Sequence, residues 1–84
     1  MRRNVFKPYT KSRTESILRA YFNLSKLQAD MEIERLSACV VRDNLDVPKY
    51  LELWESKLDR GTKGNIRELY SLYPFYQKYP EYLN

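Results

Sequence analysis

Residues 12–44 read SRTESILRAYFNLSKLQADMEIERLSACVVRDN, with no Pro and no Gly. The fold turns on this stretch. Ser12-Arg13-Thr14-Glu15 matches the S-x-x-E capping box, in which the two side chains satisfy two backbone donors left open at a helix start. One long helix is therefore expected from Ser12 to about Asn44. Along it Glu15, Arg19, Asn23, Lys26, Asp30, Glu34 and Ser37 recur at steps of three and four and form a polar stripe. Glu15–Arg19 and Lys26–Asp30 are opposite-charge i,i+4 pairs on that stripe, each worth roughly 0.2–0.5 kcal/mol.

The rest of the circumference carries two apolar rows. One holds Ile17, Tyr21, Leu24, Met31 and Ala38, with Leu27 close by; the other holds Leu18, Phe22, Ala29, Ile33, Leu36 and Val40. A surface helix buries a single stripe about 100° wide, so one row is surplus. A heptad reading through Ile17, Leu24, Leu27, Met31 and Ala38 is interrupted by Glu34.

Downstream, Asp46-Val47-Pro48 restarts the chain, since Asp caps a helix and Pro is tolerated in its first turn. A second helix is expected from about Val47 to Arg60, burying Val47, Tyr50, Leu51, Trp54 and Leu58. Gly61 is the natural stop, and Gly61-Thr62-Lys63-Gly64 the turn. Asn65-Ile66-Arg67-Glu68 then opens a third helix, with Ile66, Leu69, Tyr70 and Leu72, that ends before Pro74. The long helix would span about 45 Å and the two shorter ones about 33 Å together. They can shield one apolar row of the long helix but not both. The second row faces the tail, another copy of the chain or a different protein; the alternative is a kink near Ser37–Val41 that folds the helix onto itself.

The C-terminal stretch places Tyr70, Tyr73, Tyr76, Tyr79 and Tyr82 at every third residue, with Tyr-Pro-x-Tyr at 73–76 and 79–82. A step of three lines up on a polyproline II strand, which has three residues per turn, and spirals around an α-helix. Pro74 and Pro80 oppose one continuous helix. A short helical turn followed by an extended tail with tyrosines on one face is the expectation. Such a tail serves either as a lid on the core or as a recognition segment, since Tyr combines large contact area with a polar tip.

Charge is unevenly distributed. The chain of 84 residues has a net charge of +4. Residues 1–13 carry Arg2, Arg3, Lys7, Lys11 and Arg13 with no acid, and the remainder is nearly balanced. An acid-free cationic arm is the footprint of a phosphate-bearing or otherwise acidic partner. A solvated terminus and an organellar import segment are the other readings. Arg60, Lys63 and Arg67 in the 60–67 loop are further candidates for phosphate contact. A groove-reading helix-turn-helix is disfavoured by that loop's length and by Pro74.

Composition excludes several chemistries. With 31% charged and 43% hydrophobic residues the chain suits one folded domain. One Cys and no His remove disulfide frameworks, Cys/His zinc sites and His-dependent nucleophilic triads. Asp30, Glu32 and Glu34 are close in sequence, but Glu32 projects away from the other two. Glu52 and Glu55 lack the His that a helical carboxylate metal site requires. Cys39, in the run Ala38-Cys39-Val40-Val41, is expected to be a buried thiol.

The expectation is an all-α, small three-helix domain with one long N-terminal helix, a basic extended arm (1–11), a helical body (12–73) and a Tyr/Pro-rich tail (74–84). It is read as a non-enzymatic adaptor or accessory subunit without cofactor, metal, small-molecule substrate or membrane span. It would work in a reducing intracellular compartment, the cytoplasm or an organelle interior. Its partner would be another protein subunit or a second copy, bound through Tyr21, Phe22, Leu24, Met31, Tyr73, Tyr76, Tyr79 and Tyr82. The alternative is a dimeric nucleic-acid-binding regulator that uses Arg2, Arg3, Lys7, Lys11, Arg13, Arg60, Lys63 and Arg67 on phosphates.

Overall fold

The computed structural model describes residues 4–83. Arg2 and Arg3 lie outside them. Helices make up 71% of the chain, and no strand occurs among the described residues. Three main helices, α1 (Lys11–Phe22), α2 (Lys26–Asp43) and α3 (Val47–Asp59), are followed by short α4 (Ile66–Tyr70), α5 (Pro74–Lys78) and a closing 3-10 turn (Pro80–Leu83). Among the described residues no helix is long and apolar enough to cross a membrane.

The expected long helix is two helices. An unbroken helix there would be about 45 Å long, against a largest molecular dimension of 34 Å. The break falls at Asn23-Leu24-Ser25, and α2 runs uninterrupted through 37–41. Asn23 adopts φ 57°, ψ 42°, the left-handed conformation that Asn tolerates better than most residues. Leu24 N–H then bonds back to Arg19 C=O at 3.1 Å. Ser25 starts α2 by accepting from Gln28 N–H at 3.1 Å. The same device closes α2: Asn44 has φ 58°, and Asp46 caps α3 by accepting from Lys49 N–H at 3.3 Å.

The first start signal also moves. Thr10, not Ser12, caps α1, its Oγ1 accepting from Arg13 N–H at 3.0 Å. Residues 4–10 are not an extended arm. Asn4 staples a turn by accepting from Phe6 N–H and donating to Tyr9 C=O, each at 3.0 Å. That turn buries Phe6 and Tyr9 in the core.

α1 packs against both α2 and α3. Trp54 is the centre of the core: it stacks on Tyr21 at 6.0 Å and meets the Phe22 edge at 4.9 Å between ring centroids. Leu18, Leu36, Leu51 and Leu69 surround them, fully buried. Glu68 does not reach back to cap Asn65. Its carboxylate accepts from Trp54 Nε1 and Tyr21 OH, both at 3.2 Å, so α4 is tied to the core aromatics. Gly64 donates to Tyr21 C=O at 2.8 Å, and a Cβ there would lie 2.1 Å from the Tyr21 ring. Only glycine permits that approach.

The tail is also not a polyproline strand. Pro74 sits in the first turn of α5 and Pro80 opens the 3-10 turn, where a missing N–H costs nothing because no helical partner exists for it. The prolines start helical turns instead of preventing them.

Candidate functional site

Breaking the rod consumes most of the surplus apolar surface. Ile17 and Tyr21 of one row, and Leu18, Phe22, Ala29, Ile33 and Leu36 of the other, are all buried. What remains is narrower. Leu27 is 72%, Met31 45% and Val41 76% exposed, and Ala38 is exposed beside them. At about 100° per residue these four positions fall within roughly 80° of arc on the outer side of α2.

The second exposed surface is built by the tail, and a buried carboxylate holds it in position. Glu32 is completely buried yet fully engaged: Arg35 donates at 2.8 Å and Gln28 Nε2 at 3.3 Å. The Tyr73 hydroxyl donates to its other oxygen. A charged group with no water needs this many donors. Burial, followed by the hydrogen bond to Glu32 and its charge, pushes the Tyr73 hydroxyl far above its ordinary pKa. The Tyr70 and Tyr76 rings stack at 4.8 Å, and Gln28 also reaches Tyr70 OH at 3.5 Å. Arg35 is half-exposed, so the pair reaches solvent on the cation side.

Beyond this anchor the chain turns outward. Phe75 is 53%, Tyr79 38% and Tyr82 64% exposed. Their rings touch one another, with centroids 5.2 Å apart for Phe75–Tyr79, 5.4 Å for Phe75–Tyr82 and 6.2 Å for Tyr79–Tyr82. Aromatic rings gathered on the outside of a small domain form the kind of surface that interface centres are made of.

Of the eight residues expected to dock a partner, Tyr21, Phe22 and Tyr73 are therefore interior and cannot contact one. Leu24 and Tyr76 are half-buried, while Met31, Tyr79 and Tyr82 are exposed. Leu27, Val41 and Phe75 join them and were not among the expected residues. The signal for Phe75 was present: Phe75, Tyr79 and Tyr82 follow steps of four and three, the spacing of a helical face. The period of three among the tyrosines masked it.

The basic candidates divide. Arg13 is committed to Glu55, with Nε–Oε2 at 3.0 Å, and its guanidinium lies 4.7 Å from the Tyr9 ring centroid. Lys7, in the N-terminal turn, and Lys11, at the start of α1, are exposed. Arg60, Lys63 and Arg67 are exposed around the loop that bonds to Tyr21 at its other end. Twelve helical residues, about 18 Å, separate the two groups.

A groove of about 310 Å³ runs between the N-terminal turn and α2, floored by Val5, Phe6 and Ile33. Several of its polar liners are already in use: Asn4 in the turn, Thr10 in the cap, and Ser37 donating to Ile33 C=O at 2.8 Å. It is a seam between two packed segments. Elsewhere, Asp30 Oδ1 is buried without a hydrogen-bond partner; the expected Lys26–Asp30 pair does not form. Cys39 is buried, and burial, then the nearby Asp43, raises its thiol pKa.

Comparison with known proteins matches this chain to no family model, no curated protein and no solved structure.

Proposed function

We propose that this chain is a small non-enzymatic helical interaction protein, an adaptor or accessory subunit of a larger protein assembly. It docks through the outer face of α2 (Leu27, Met31, Ala38, Val41) and through the aromatic patch of the tail (Phe75, Tyr79, Tyr82). The observation that carries this reading is the patch itself: three large rings, each more than a third exposed, held against one another on the outside of a small domain. The Tyr73–Glu32 anchor supports it further. A surface fixed before the partner arrives loses less conformational freedom on binding. The lone thiol suits a reducing, intracellular setting.

Capture from native lysate, with and without nuclease, tests the reading. The expected outcome is nuclease-resistant recovery of one stoichiometric protein, retained at about 0.5 M salt, where charge attraction is screened within a few ångströms. Leu27→Asp and Phe75→Asp should abolish it. Nuclease-sensitive recovery, lost when Lys7, Lys11, Arg60, Lys63 and Arg67 are neutralised, would replace this reading with phosphate-directed nucleic-acid binding.

A further inference from the structure

One edge of the outer α2 face holds a carboxylate oxygen that lacks a donor. We infer that the occupant of this face is a protein segment whose apolar side bears a Lys or Arg, and that this cation pairs with Asp30. The inference rests on the docking reading above and supplies the partner chemistry of one of its two surfaces. Asp30 lies one turn along α2 from Leu27 and about 60° around the axis from it, roughly 20° beyond Val41 at the edge of the apolar arc. Its Oδ1 is closed to water and receives no hydrogen bond, while the residue as a whole is part-exposed. A group arriving at the surface can therefore reach the carboxylate.

Buried acceptors are nearly always paired, and one left without a donor carries its desolvation cost uncompensated. The cations of α2 do not meet this need. Lys26, one turn before Asp30, is exposed and makes no ion pair among the described residues. Arg35 donates to Glu32. Arg42 is twelve residues further on, about 18 Å along the axis.

An acceptor in this state discriminates among occupants. A cation gives it a charge-assisted hydrogen bond, the strongest kind open to a carboxylate. An uncharged apolar face would exclude water further and leave the oxygen unpaired. A phosphate or an acidic peptide would bring a like charge beside it. Leu27, Met31, Ala38 and Val41 extend over about 21 Å of helix, a length suited to one partner helix laid along α2, with its cation at the Leu27–Met31 end. Because Oδ1 is already out of water, salt screens this pair less than one on the open surface, in keeping with the salt-resistant capture expected above.

Selection of random displayed peptides of about 15 residues, roughly four helical turns, on the immobilised full chain tests the inference. Peptides whose binding is lost in Leu27→Asp report on the α2 face, and they should be enriched in Lys or Arg among apolar residues. Asp30→Asn keeps the shape and removes the charge. The dissociation constant of such a peptide, read by fluorescence anisotropy, should then rise about tenfold. Asp30→Lys should turn the selection toward acidic peptides. The Asp30→Asn chain should melt no lower than the original, because Oδ1 has no donor to lose, so weaker binding is not a folding defect.

Leu27-dependent peptides without a cation, equal affinity for the Asp30→Asn chain, or no Leu27-dependent peptide at all would each overturn the inference. So would self-association of the chain that Leu27→Asp abolishes, which would make a second copy the occupant. Capture from lysate that needs Leu27 but is indifferent to Asp30→Asn leaves the docking reading standing and sinks this inference alone. The docking reading itself fails when Leu27→Asp and Phe75→Asp both leave capture of a stoichiometric partner unchanged.

Discussion

Removing the Tyr73 hydroxyl leaves the Glu32 carboxylate, which no solvent reaches, with Arg35 and Gln28 as its remaining donors. Tyr73→Phe should therefore destabilise the fold by about 1–3 kcal/mol. Urea denaturation checks this, with the slope unchanged because the ring still packs. The same hydroxyl also sets an alkaline limit. Tyr73, Tyr21 and Tyr70 are all held above their ordinary value of 10.0, chiefly by burial and then by the neighbouring carboxylates. Below about pH 10 folded and unfolded chains both keep these protons, and stability does not change on their account. Above it the unfolded chain releases them while the folded chain holds them, so stability falls as pH rises. Each withheld proton lowers stability by about 1.4 kcal/mol per pH unit. Melting temperatures from pH 7 to about 11 should decline above pH 10, and less steeply in Tyr73→Phe. A flat profile across that range would refute the assignment.

The two stop–start junctions have the same chemistry: Asn23-Leu24-Ser25 and Asn44-Leu45-Asp46 each end a helix with a left-handed Asn and begin the next with an oxygen cap. The sequence made the second legible and not the first. Asn44 precedes Pro48, which forces a boundary to be sought, whereas Asn23 sits inside a run of periodic apolar residues that continues on both sides. Periodicity reports that a stretch is helical; it is nearly blind to a three-residue interruption that preserves the phase. Local capping chemistry carried that information. α3, its buried face and the Gly61 stop were readable because start and stop signals agreed there with the apolar pattern. The tyrosine spacing marks the tail as aromatic surface but hides its conformation, since Pro74 and Pro80, which oppose one continuous helix, here open short helical turns. The element-scale prediction is about the first junction. Asn23→Ala should cost about 1–2 kcal/mol for a Cβ residue in the left-handed region, while Asn23→Gly should be close to neutral. Equal losses in both, by thermal or urea unfolding, would remove the conformational explanation.

At the scale of the whole molecule, the buried and the docking surfaces separate cleanly. The interior is closed by residues from distant parts of the chain: Phe6 and Tyr9 from the N-terminal turn, Trp54 from α3, Leu69 from α4 and Tyr73 just before α5. The exposed apolar side chains of α2 and the tail do not help to close it. Leu27→Asp should then shift stability by no more than about 0.5 kcal/mol while abolishing partner capture. A loss of several kcal/mol would mean that this side chain supports the fold instead. Buried Tyr21, by contrast, touches Trp54, Phe22, Glu68 and Gly64 and belongs wholly to the interior.

Glu32 and Cys39 lie two turns apart on α2, with Tyr73 near enough to both for each to raise its pKa. The chain's single thiol is buried in the same part of the interior as Tyr73. Its alkylation by a small maleimide can proceed only when the packing around it opens, so the reaction rate clocks that opening with no engineered label. Loss of the Tyr73–Glu32 hydrogen bond in Tyr73→Phe should quicken the labelling, and a bound partner that holds the tail in place should slow it.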